Sequence, residues 1–356
     1  MPAVQHCRQD ARGTKLQARC LRYNYGVLMM SEQKSTMSSF KMTRRDMLKV
    51  GTAAALPLVN TSCAMAKKKT SQPVQLTIGV ATPGFRDYTN AQLAEALAQE
   101  NIKTIQFFLS QSDSKYWRYN SRSDLSDLTA KRCDEIANIY RSAGISIHSI
   151  GVYTNLIHPD EAERNANLAY FDRMMKVGAD MGVHTFITEA GHYHPEVPPK
   201  GVAYHFLGEV WTMMVAIGKK LAEMAERRQA TVLIEPYFGG FFATAKRTRM
   251  FIEEVGSPRI RALLDPANLL ELNDLEEMFD QLDPWIECFH AKDRKLHVVR
   301  GVAAGQGDLD YRKFVTMAAK RKPQIPLIVE YVGRKNYKQA LKHLRNTMRE
   351  VGVGWK

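Results

Sequence analysis

The sequence predicts a (β/α)8 TIM barrel, an α/β fold, and three observations lead to that prediction. From Leu76 onward, short apolar runs rich in β-branched residues alternate with amphipathic stretches of helical length. Eight such strand–helix pairs fit into roughly 280 residues, which is the size of one barrel domain. The main alternative, a doubly wound sheet, loses support because "GVATPGF" after the first strand lacks the spacing of a dinucleotide-binding loop.

The strand candidates share a short apolar run bounded by polar or turn residues, and the segments between them repeat apolar residues every three or four positions. Two of the helical segments close on the glycine signals "RSAG" and "ADMG". The predicted strands are Leu76–Val80, Lys103–Phe108, Ile145–Ile150, His184–Thr188, Thr231–Glu235, Ile260–Asp265, Ile286–His290 and Pro326–Glu330.

Two long loops interrupt the regular alternation, at residues 110–128 and 189–203. Each follows a predicted strand, so each belongs to the face where barrel enzymes carry their active sites. Tyr116, Trp117 and Tyr119 in the first loop could stack on a sugar ring, or they could pack the loop against the barrel rim.

The net charge of +13 raises the question of nucleic-acid binding, and its distribution argues against that function. Residues 1–66 carry ten Lys and Arg and three Asp and Glu, so about half of the excess lies in this leader. The remaining chain is only weakly basic and lacks the concentrated basic surface of a nucleic-acid-binding domain. We therefore expect no nucleic-acid partner.

The leader has the features of an export signal. Arg44 and Arg45 form a twin arginine ahead of a modest apolar run, Val50–Val59, and Ala64 and Ala66 follow as small residues. The run is about half of the ~20 residues needed to cross a bilayer, so no transmembrane span is expected. The pattern is typical of a signal peptide, and the twin arginine favours the Tat route.

These features divide the chain into three parts. We interpret residues 1–36 as an upstream extension from a misassigned start codon, residues 37–66 as the Tat-type signal peptide and residues 67–356 as one barrel domain. The expected location is the periplasm, reached through the Tat export machinery, and a lipoprotein anchored at Cys63 is an alternative. Self-association into a homo-oligomer stays open.

Four predicted strands each end in a residue type that binds metals. Glu235, Asp265, His290 and Glu330 follow the apolar runs of the last four strands. Because the carboxyl ends of barrel strands converge on one mouth, residues far apart in sequence can share one ion. Three carboxylates and one imidazole suit Mn²⁺ first, with Mg²⁺, Co²⁺ or Zn²⁺ as alternatives. The sequence therefore predicts one divalent metal ion.

The motifs around these residues resemble the sugar phosphate isomerase/epimerase superfamily, the xylose-isomerase-like TIM barrels. The resemblance runs from about Val74 to Val351 and rests on "SIGVYTNLIHPD", "LIEPY", "LLDPANLLE", "FHAKD", "GQGDLDYRKFV" and "IVEY". It implies that the four strand-end residues hold the metal and that Glu235 and Glu330 are also the acid/base pair. Epimerases of this group often carry a histidine three residues past the strand-6 aspartate, where this chain has Asn268, which we count as a substrate-binding candidate.

The implied reaction is proton transfer through a metal-stabilised enediolate, and the substrate is a small carbohydrate. Return of the proton to the other face gives epimerisation of a free sugar or keto-sugar, and transfer to the neighbouring carbon gives isomerisation. Loss of a β-hydroxyl instead makes the protein a lyase or dehydratase, acting on a keto-inositol or a 3-keto-glycoside. These outcomes need the same residues, so they stay open at this point. A nuclease of the same fold would need further ligands on strands 2 to 4, and "IQFF" ends strand 2 without one.

Five more residues near the predicted mouth are substrate-binding candidates. His148 lies at the end of strand 3, and Glu189 and His192 follow strand 4. Lys292 and Asp293 come directly after the metal histidine. There Lys292 could neutralise an oxyanion, and Asp293 could orient His290 as its hydrogen-bond partner.

Overall fold

The computed structural model describes residues 74–194, 196–197 and 202–356, and their architecture is a closed eight-stranded parallel barrel surrounded by helices. The strands are Gln75–Leu76 (β1), Ile78–Ala81 (β2), Thr104–Phe107 (β3), Ser146–Gly151 (β4), Thr185–Thr188 (β5), Thr231–Ile234 (β6), Ile260–Leu264 (β7), Ile286–Lys295 (β8), Arg300–Ala303 (β9), Leu327–Val329 (β10) and Gly354–Trp355 (β11). The sheet order is β10-β2-β3-β4-β5-β6-β7-β8-β9, and a further pairing of β10 with β8 closes the barrel. The predicted (β/α)8 fold is confirmed.

The helices around the barrel begin at side chains that cap them. Thr89 and Gln92 form a capping box at the first helix, and Asp160 caps the third, which ends at Gly182 in the left-handed conformation. The helices are Asn90–Gln99 (α1), Ala130–Ser142 (α2), Glu161–Met181 (α3), Gly208–Arg227 (α4), Ala245–Val255 (α5), Pro266–Leu269 (α6), Leu275–Leu282 (α7), Tyr311–Arg321 (α8) and Tyr337–Glu350 (α9).

The strands separate two apolar cores. A large cluster fills the space between the strands and the helices, and a smaller cluster fills the barrel interior. The interior cluster comprises Ala81, Phe108, Tyr153, Ile187, Leu233, Leu263, Cys288 and Ile328. Side chains two residues apart in extended chain share one face, so an interior side chain is followed two positions later by another that faces the barrel axis, as long as the chain stays extended.

The structure adds elements that the sequence did not predict. Strand β8 continues past His290 and forms an antiparallel hairpin with β9, pairing Lys292 with Ala303 and Arg294 with Gly301. Strands β1 and β11 pair in parallel and join the two ends of the described chain. The hairpin matters for the site, because it extends one barrel strand above the mouth.

The predictions for residues 1–36, the Tat-type signal at 37–66 and the anchor at Cys63 lie outside the described residues. Within the described part of the chain, no helix is long and apolar enough to cross a membrane.

Candidate metal centre

The four predicted ligands meet at the carboxyl end of the barrel. Glu235, Asp265 and Glu330 directly follow β6, β7 and β10, and His290 lies within β8. Each stands two residues after a side chain of the interior cluster, which explains why all four turn towards the axis. All four are at most 9% exposed, and their ligand atoms lie within 4.8 Å of one another.

His290 is the centre of this group. Its Nδ1 lies 3.3 Å from Glu235 Oε1, 3.5 Å from Asp265 Oδ2 and 3.4 Å from Glu330 Oε2. Its Nε2 lies 2.6 Å from Gln106 Oε1, at the end of β3 across the barrel. A proton on Nε2 donated to Gln106 leaves the Nδ1 lone pair facing the three carboxylates. That is the tautomer and orientation a metal-binding histidine needs.

Glu235 is positioned by two further hydrogen bonds. Asn268 Nδ2 donates to Glu235 Oε1 over 2.9 Å, and the Tyr153 hydroxyl donates to Glu235 Oε2 over 2.5 Å. Burial, together with the negative charge of Glu235, raises the pKa of Tyr153 and keeps it a donor. Asn268 is itself fixed by α6, since its backbone amide donates to Asp265, the N-cap of that helix.

Lys292 partly balances the carboxylates. Its Nζ lies 2.8 Å from Asp265 Oδ2 and 3.1 Å from Glu330 Oε2, and the side chain is 4% exposed. Burial alone would lower the pKa of Lys292, but the two carboxylates raise it well above its ordinary value. Burial likewise would raise the pKa of Glu330, yet Lys292 and His290 hold it below its usual range. Glu330 is therefore ionised.

The charges and the donor set fit a divalent cation. With His290 neutral, three carboxylates and one ammonium carry a formal charge of −2 in a buried site, and burying uncompensated charge is costly. Burial would lower the pKa of His290, but Glu330 and Glu235 raise it well above its ordinary value, so a proton on the ring offsets part of this charge when no ion is bound. Among the described residues, the buried His290 Nδ1 has no hydrogen-bond partner. One divalent ion would neutralise the charge and use this lone pair. Three oxygen ligands and one nitrogen suit the hard and borderline ions predicted from the sequence.

Above the ligands lies a large open cavity of about 1210 Å³. Glu235 and Glu330 form part of its floor, and aromatic side chains contribute much of the rest of its lining. The aromatic residues are Phe108, Trp117, Tyr119, Tyr153, Tyr237, Phe238 and Tyr331. The arrangement can hold a small polar molecule between a charged floor and aromatic walls.

A family profile described as xylose isomerase-like TIM barrel matches residues 94–347. The chain belongs to this family. The match covers most of the described chain, including all four strand-end ligands, and agrees with the resemblance that the motifs indicated. A comparison with curated protein sequences gives no match.

Solved structures, two of them with enzymatic names, share the barrel. The 3-keto-D-glucoside 4-epimerase YcjR from E. coli is 16% identical with a TM-score of 0.59, covering 78% of this chain and 99% of its own. The probable 3-DHS dehydratase AsbF from Bacillus anthracis is 16% identical with a TM-score of 0.61, covering 77% and 99%. The IolI protein with a binding zinc atom is 16% identical with a TM-score of 0.60, covering 78% and 98%. At these identities the likeness establishes the fold.

Within this xylose isomerase-like barrel, the predicted substrate-binding residues fall into two groups. Glu189, His192, Asn268 and Lys292 all line the cavity. The Tyr119 hydroxyl donates to Glu189 over 2.7 Å, and the rings of Tyr119 and His192 lie 6.4 Å apart. Burial and the charge of Glu235 raise the pKa of Glu189 to about 7. These residues face the same open space above the ligands.

His148 and Asp293 lie elsewhere. His148 is half-buried at an irregularity in the pairing of β3 with β4, where its Nδ1 contacts Ser149 Oγ, and it is not part of the cavity lining. Asp293 is buried, and its carboxylate accepts hydrogen bonds from the backbone amides of Gly305, Gly307 and Leu309. The prediction that Asp293 orients His290 is wrong, since the partner is Gln106. The side chain of Asp293 alternates away from the barrel axis and anchors the loop after β9 instead.

The aromatic residues of the first long loop divide in the same way. Trp117 and Tyr119 line the cavity, whereas Tyr116 donates to Asp127 and packs against the outer core. Three other site residues were not predicted from the sequence: Gln106, and Tyr153 and Tyr331, which lie within the motifs "SIGVYTNLIHPD" and "IVEY". Tyr331 follows Glu330, and its ring lies 4.5 Å from Lys292 Nζ. Its φ of 57° is unusual for a bulky residue, a strain that occurs most often at functional sites.

Proposed function

We propose that this protein is a divalent-metal-dependent isomerase or epimerase of a free sugar or keto-sugar. The observation that carries the proposal is the convergence of Glu235, Asp265, His290 and Glu330 on the floor of a cavity large enough for a carbohydrate. When bound, a divalent ion supplies positive charge that stabilises a developing oxyanion beside an acidic C–H bond. Mn²⁺ is our first choice for that ion, and the zinc in the IolI structure makes Zn²⁺ the alternative to test beside it.

The chain's own residues supply the proton transfer. Glu330 is ionised beside Lys292, so it can accept a proton from a substrate carbon. Glu235 is held by Tyr153 and Asn268, and these fixed hydrogen bonds set the direction of its carboxylate. A substrate placed between the two glutamates loses a proton to the ionised one and receives a proton from the other, which has to be protonated at that step. The two glutamates therefore exchange protonation states with each turnover. Return to the opposite face inverts the carbon, which is epimerisation.

A second candidate, a lyase or dehydratase acting on a keto-inositol or 3-keto-glycoside, is supported by Glu189. Elimination of a β-hydroxyl needs an acid that protonates the leaving oxygen. Glu189 lines the cavity, and its pKa of about 7 leaves a large fraction protonated near neutral pH. The two candidates share the proton-abstraction step and differ in whether the proton returns to carbon or a hydroxyl leaves.

One NMR experiment tests the proposal and separates the candidates. The purified protein, residues 67–356, is stripped of metal and reloaded with Mn²⁺ or Zn²⁺. It is then incubated in D₂O with a panel of ketoses, keto-inositols and 3-keto-glycosides. We expect metal-dependent exchange of one α-hydrogen for deuterium. A deuterated epimer or isomer supports the first candidate, and a product that has lost water or an alcohol supports the second. Absence of exchange with every substrate and both metals would contradict both.

We propose that residues 37–66 direct the protein through the Tat machinery to the periplasm, on the strength of Arg44 and Arg45 ahead of a short apolar run. Such a location favours free or glycosidic carbohydrates over phosphorylated sugars. Replacing both arginines with lysine should keep the protein in the cytoplasm in a cell-fractionation experiment. Equal export of this variant and of the wild type would contradict the Tat assignment.

A further inference from the structure

The cavity extends well above the four ligands, along the hairpin of β8 and β9. His290, Lys292 and Arg294 alternate along β8, and Lys292 and Arg294 both line the cavity. At ~3.3 Å per residue, the backbone of Arg294 lies about 13 Å beyond that of His290 along the strand. The four ligand atoms lie within 4.8 Å of one another, so they occupy only a small part of a cavity of this size, and the hairpin borders the remainder.

Arg294 is the polar group of this upper region. It is 3% exposed, and its Nε donates to the carbonyl oxygen of Ala267 over 2.7 Å. Among the residues that the structure describes, the buried Nη1 has no hydrogen-bond partner. Leaving a buried guanidinium nitrogen without a hydrogen-bond partner costs free energy. Because Arg294 borders the cavity, an oxygen atom of a bound ligand can accept this hydrogen bond.

Two aromatic rings adjoin this arginine. The guanidinium carbon lies 4.8 Å from the ring centre of Phe238 and 5.7 Å from that of Tyr237, and both rings line the cavity. A Cβ atom on Gly239 would lie 2.7 Å from the Tyr237 ring, so glycine at this position allows the ring to pack there. The exposed side chains of Leu272 and Val299 line the same cavity. Flat apolar faces beside a donor suit a ring that carries oxygen substituents.

The size of the cavity agrees with a ligand of two units. Its volume of about 1210 Å³ exceeds the ~300–1,000 Å³ of cavities that hold drug-sized molecules, whereas a monosaccharide has only about a dozen heavy atoms. We propose that Arg294, Tyr237 and Phe238 form a second subsite, and that the substrate is a keto-sugar linked to a second unit, a keto-glycoside, whose second unit binds there. The inference rests on the proposed function, because it takes the first sugar to lie at the four ligands.

Binding measurements test the subsite independently of turnover. Isothermal titration calorimetry of the Mn²⁺-loaded protein compares D-glucose with methyl β-D-glucoside, phenyl β-D-glucoside and cellobiose. The last two ligands carry an aromatic and a sugar second unit, so they also distinguish which kind of ring the subsite prefers. We expect at least one of them to bind tenfold or more tightly than glucose and the methyl glucoside.

Variants locate the effect. Phe238→Leu keeps apolar volume but removes the flat ring, and we expect it to reduce the two-ring preference to threefold or less while glucose affinity stays unchanged. Phe206→Leu is the matched control, because Phe206 also lies against an arginine, Arg247, at 5.0 Å but outside the cavity lining. Arg294→Lys, which loses the planar donor group, should lower the preference in the same direction as Phe238→Leu.

The outcomes are separable from those of the proposed function. Equal or undetectable binding of one-ring and two-ring ligands by the wild type would overturn the subsite, as would an equal loss of both kinds of ligand in Phe238→Leu. A retained two-ring preference without hydrogen exchange in D₂O would overturn the proposed reaction and leave the subsite standing.

Discussion

The two halves of the barrel contribute different chemistry to one site. Strands β6, β7, β8 and β10 each supply a charged ligand candidate, Glu235, Asp265, His290 and Glu330 respectively. The opposite strands, β2 to β5, supply no ligand to this group. They and their loops contribute instead a glutamine, two tyrosines and Glu189.

The contrast shows how the charged half depends on the other. Gln106 from β3 fixes the ring of His290, and Tyr153 after β4 fixes Glu235. In the function we propose, the charged half would hold the ion and transfer protons, and the opposite half sets the direction of the groups that would do so. Changes in the charged half should abolish function, and changes in the opposite half should tune it.

The largest expected effect is the loss of the proton acceptor in the charged half. Glu330→Gln keeps the shape of the side chain and one oxygen that can coordinate, but it cannot accept a substrate proton. We expect turnover to fall by about 10²-fold or more at saturating metal, as for the loss of a positioned general base. Steady-state kinetics on the substrate found by the NMR panel measures it.

Glu287→Gln is the matched control for this variant. Glu287 lies near the opposite end of β8 and pairs with Arg261 on the protein surface, so its loss should leave turnover unchanged. If Glu330→Gln exchanges the substrate hydrogen at the wild-type rate, Glu330 only binds the metal and another residue is the base.

A smaller effect is expected in the opposite half. Gln106→Ala removes the acceptor that orients His290, and we expect the affinity for Mn²⁺ to fall by about 10- to 100-fold, as for other outer partners of metal-binding histidines. Titration of the metal-free protein followed by electron paramagnetic resonance measures the free ion. Gln111→Ala is the control, since Gln111 is equally buried but donates to Thr82. Equal affinity for Mn²⁺ in Gln106→Ala and Gln111→Ala would show that Gln106 does not support the metal site.

The smallest expected effect is a pH dependence of stability from Glu189. The pKa of Glu189 is about 7 in the folded protein, and its ordinary value is 4.5. Between pH 4.5 and pH 7, the folded protein therefore keeps a proton that the unfolded chain has lost. The contribution of Glu189 to the free energy of unfolding therefore falls as pH rises from 4.5 through 7. Glu189→Gln does not titrate, so it should gain about 1–2 kcal/mol relative to wild type between pH 5 and pH 8. Urea unfolding at both pH values checks this, and a pH-independent difference would contradict it.

The fold and the charged half could be predicted because their signals are local. An apolar run followed by a charged residue repeats at Glu235, Asp265, His290 and Glu330, and the barrel topology brings such ends together. The opposite half has no such signal. Gln106 lies 184 positions from His290 in sequence, and only closure of the barrel brings the two side chains within 2.6 Å.

Asp293 shows why neighbours in sequence mislead. It lies only three residues from His290, but strand alternation turns adjacent side chains to opposite faces, and Asp293 bonds to a loop outside the barrel axis. The β9 hairpin was missed for a related reason. The residues that pair with β8 have the composition of a glycine-containing loop. That they form part of the cavity wall follows only from the folded structure.

The central claim is that four strand ends hold one divalent ion, and metal stoichiometry tests it most directly. The wild-type protein and His290→Ala are stripped with chelator, reloaded with Mn²⁺, desalted and measured by inductively coupled plasma mass spectrometry. We predict about one ion per chain for the wild type and a large loss of bound metal for His290→Ala, because that variant lacks the only nitrogen ligand among the four. A wild type without bound metal, or equal stoichiometric metal in both proteins, would contradict the account.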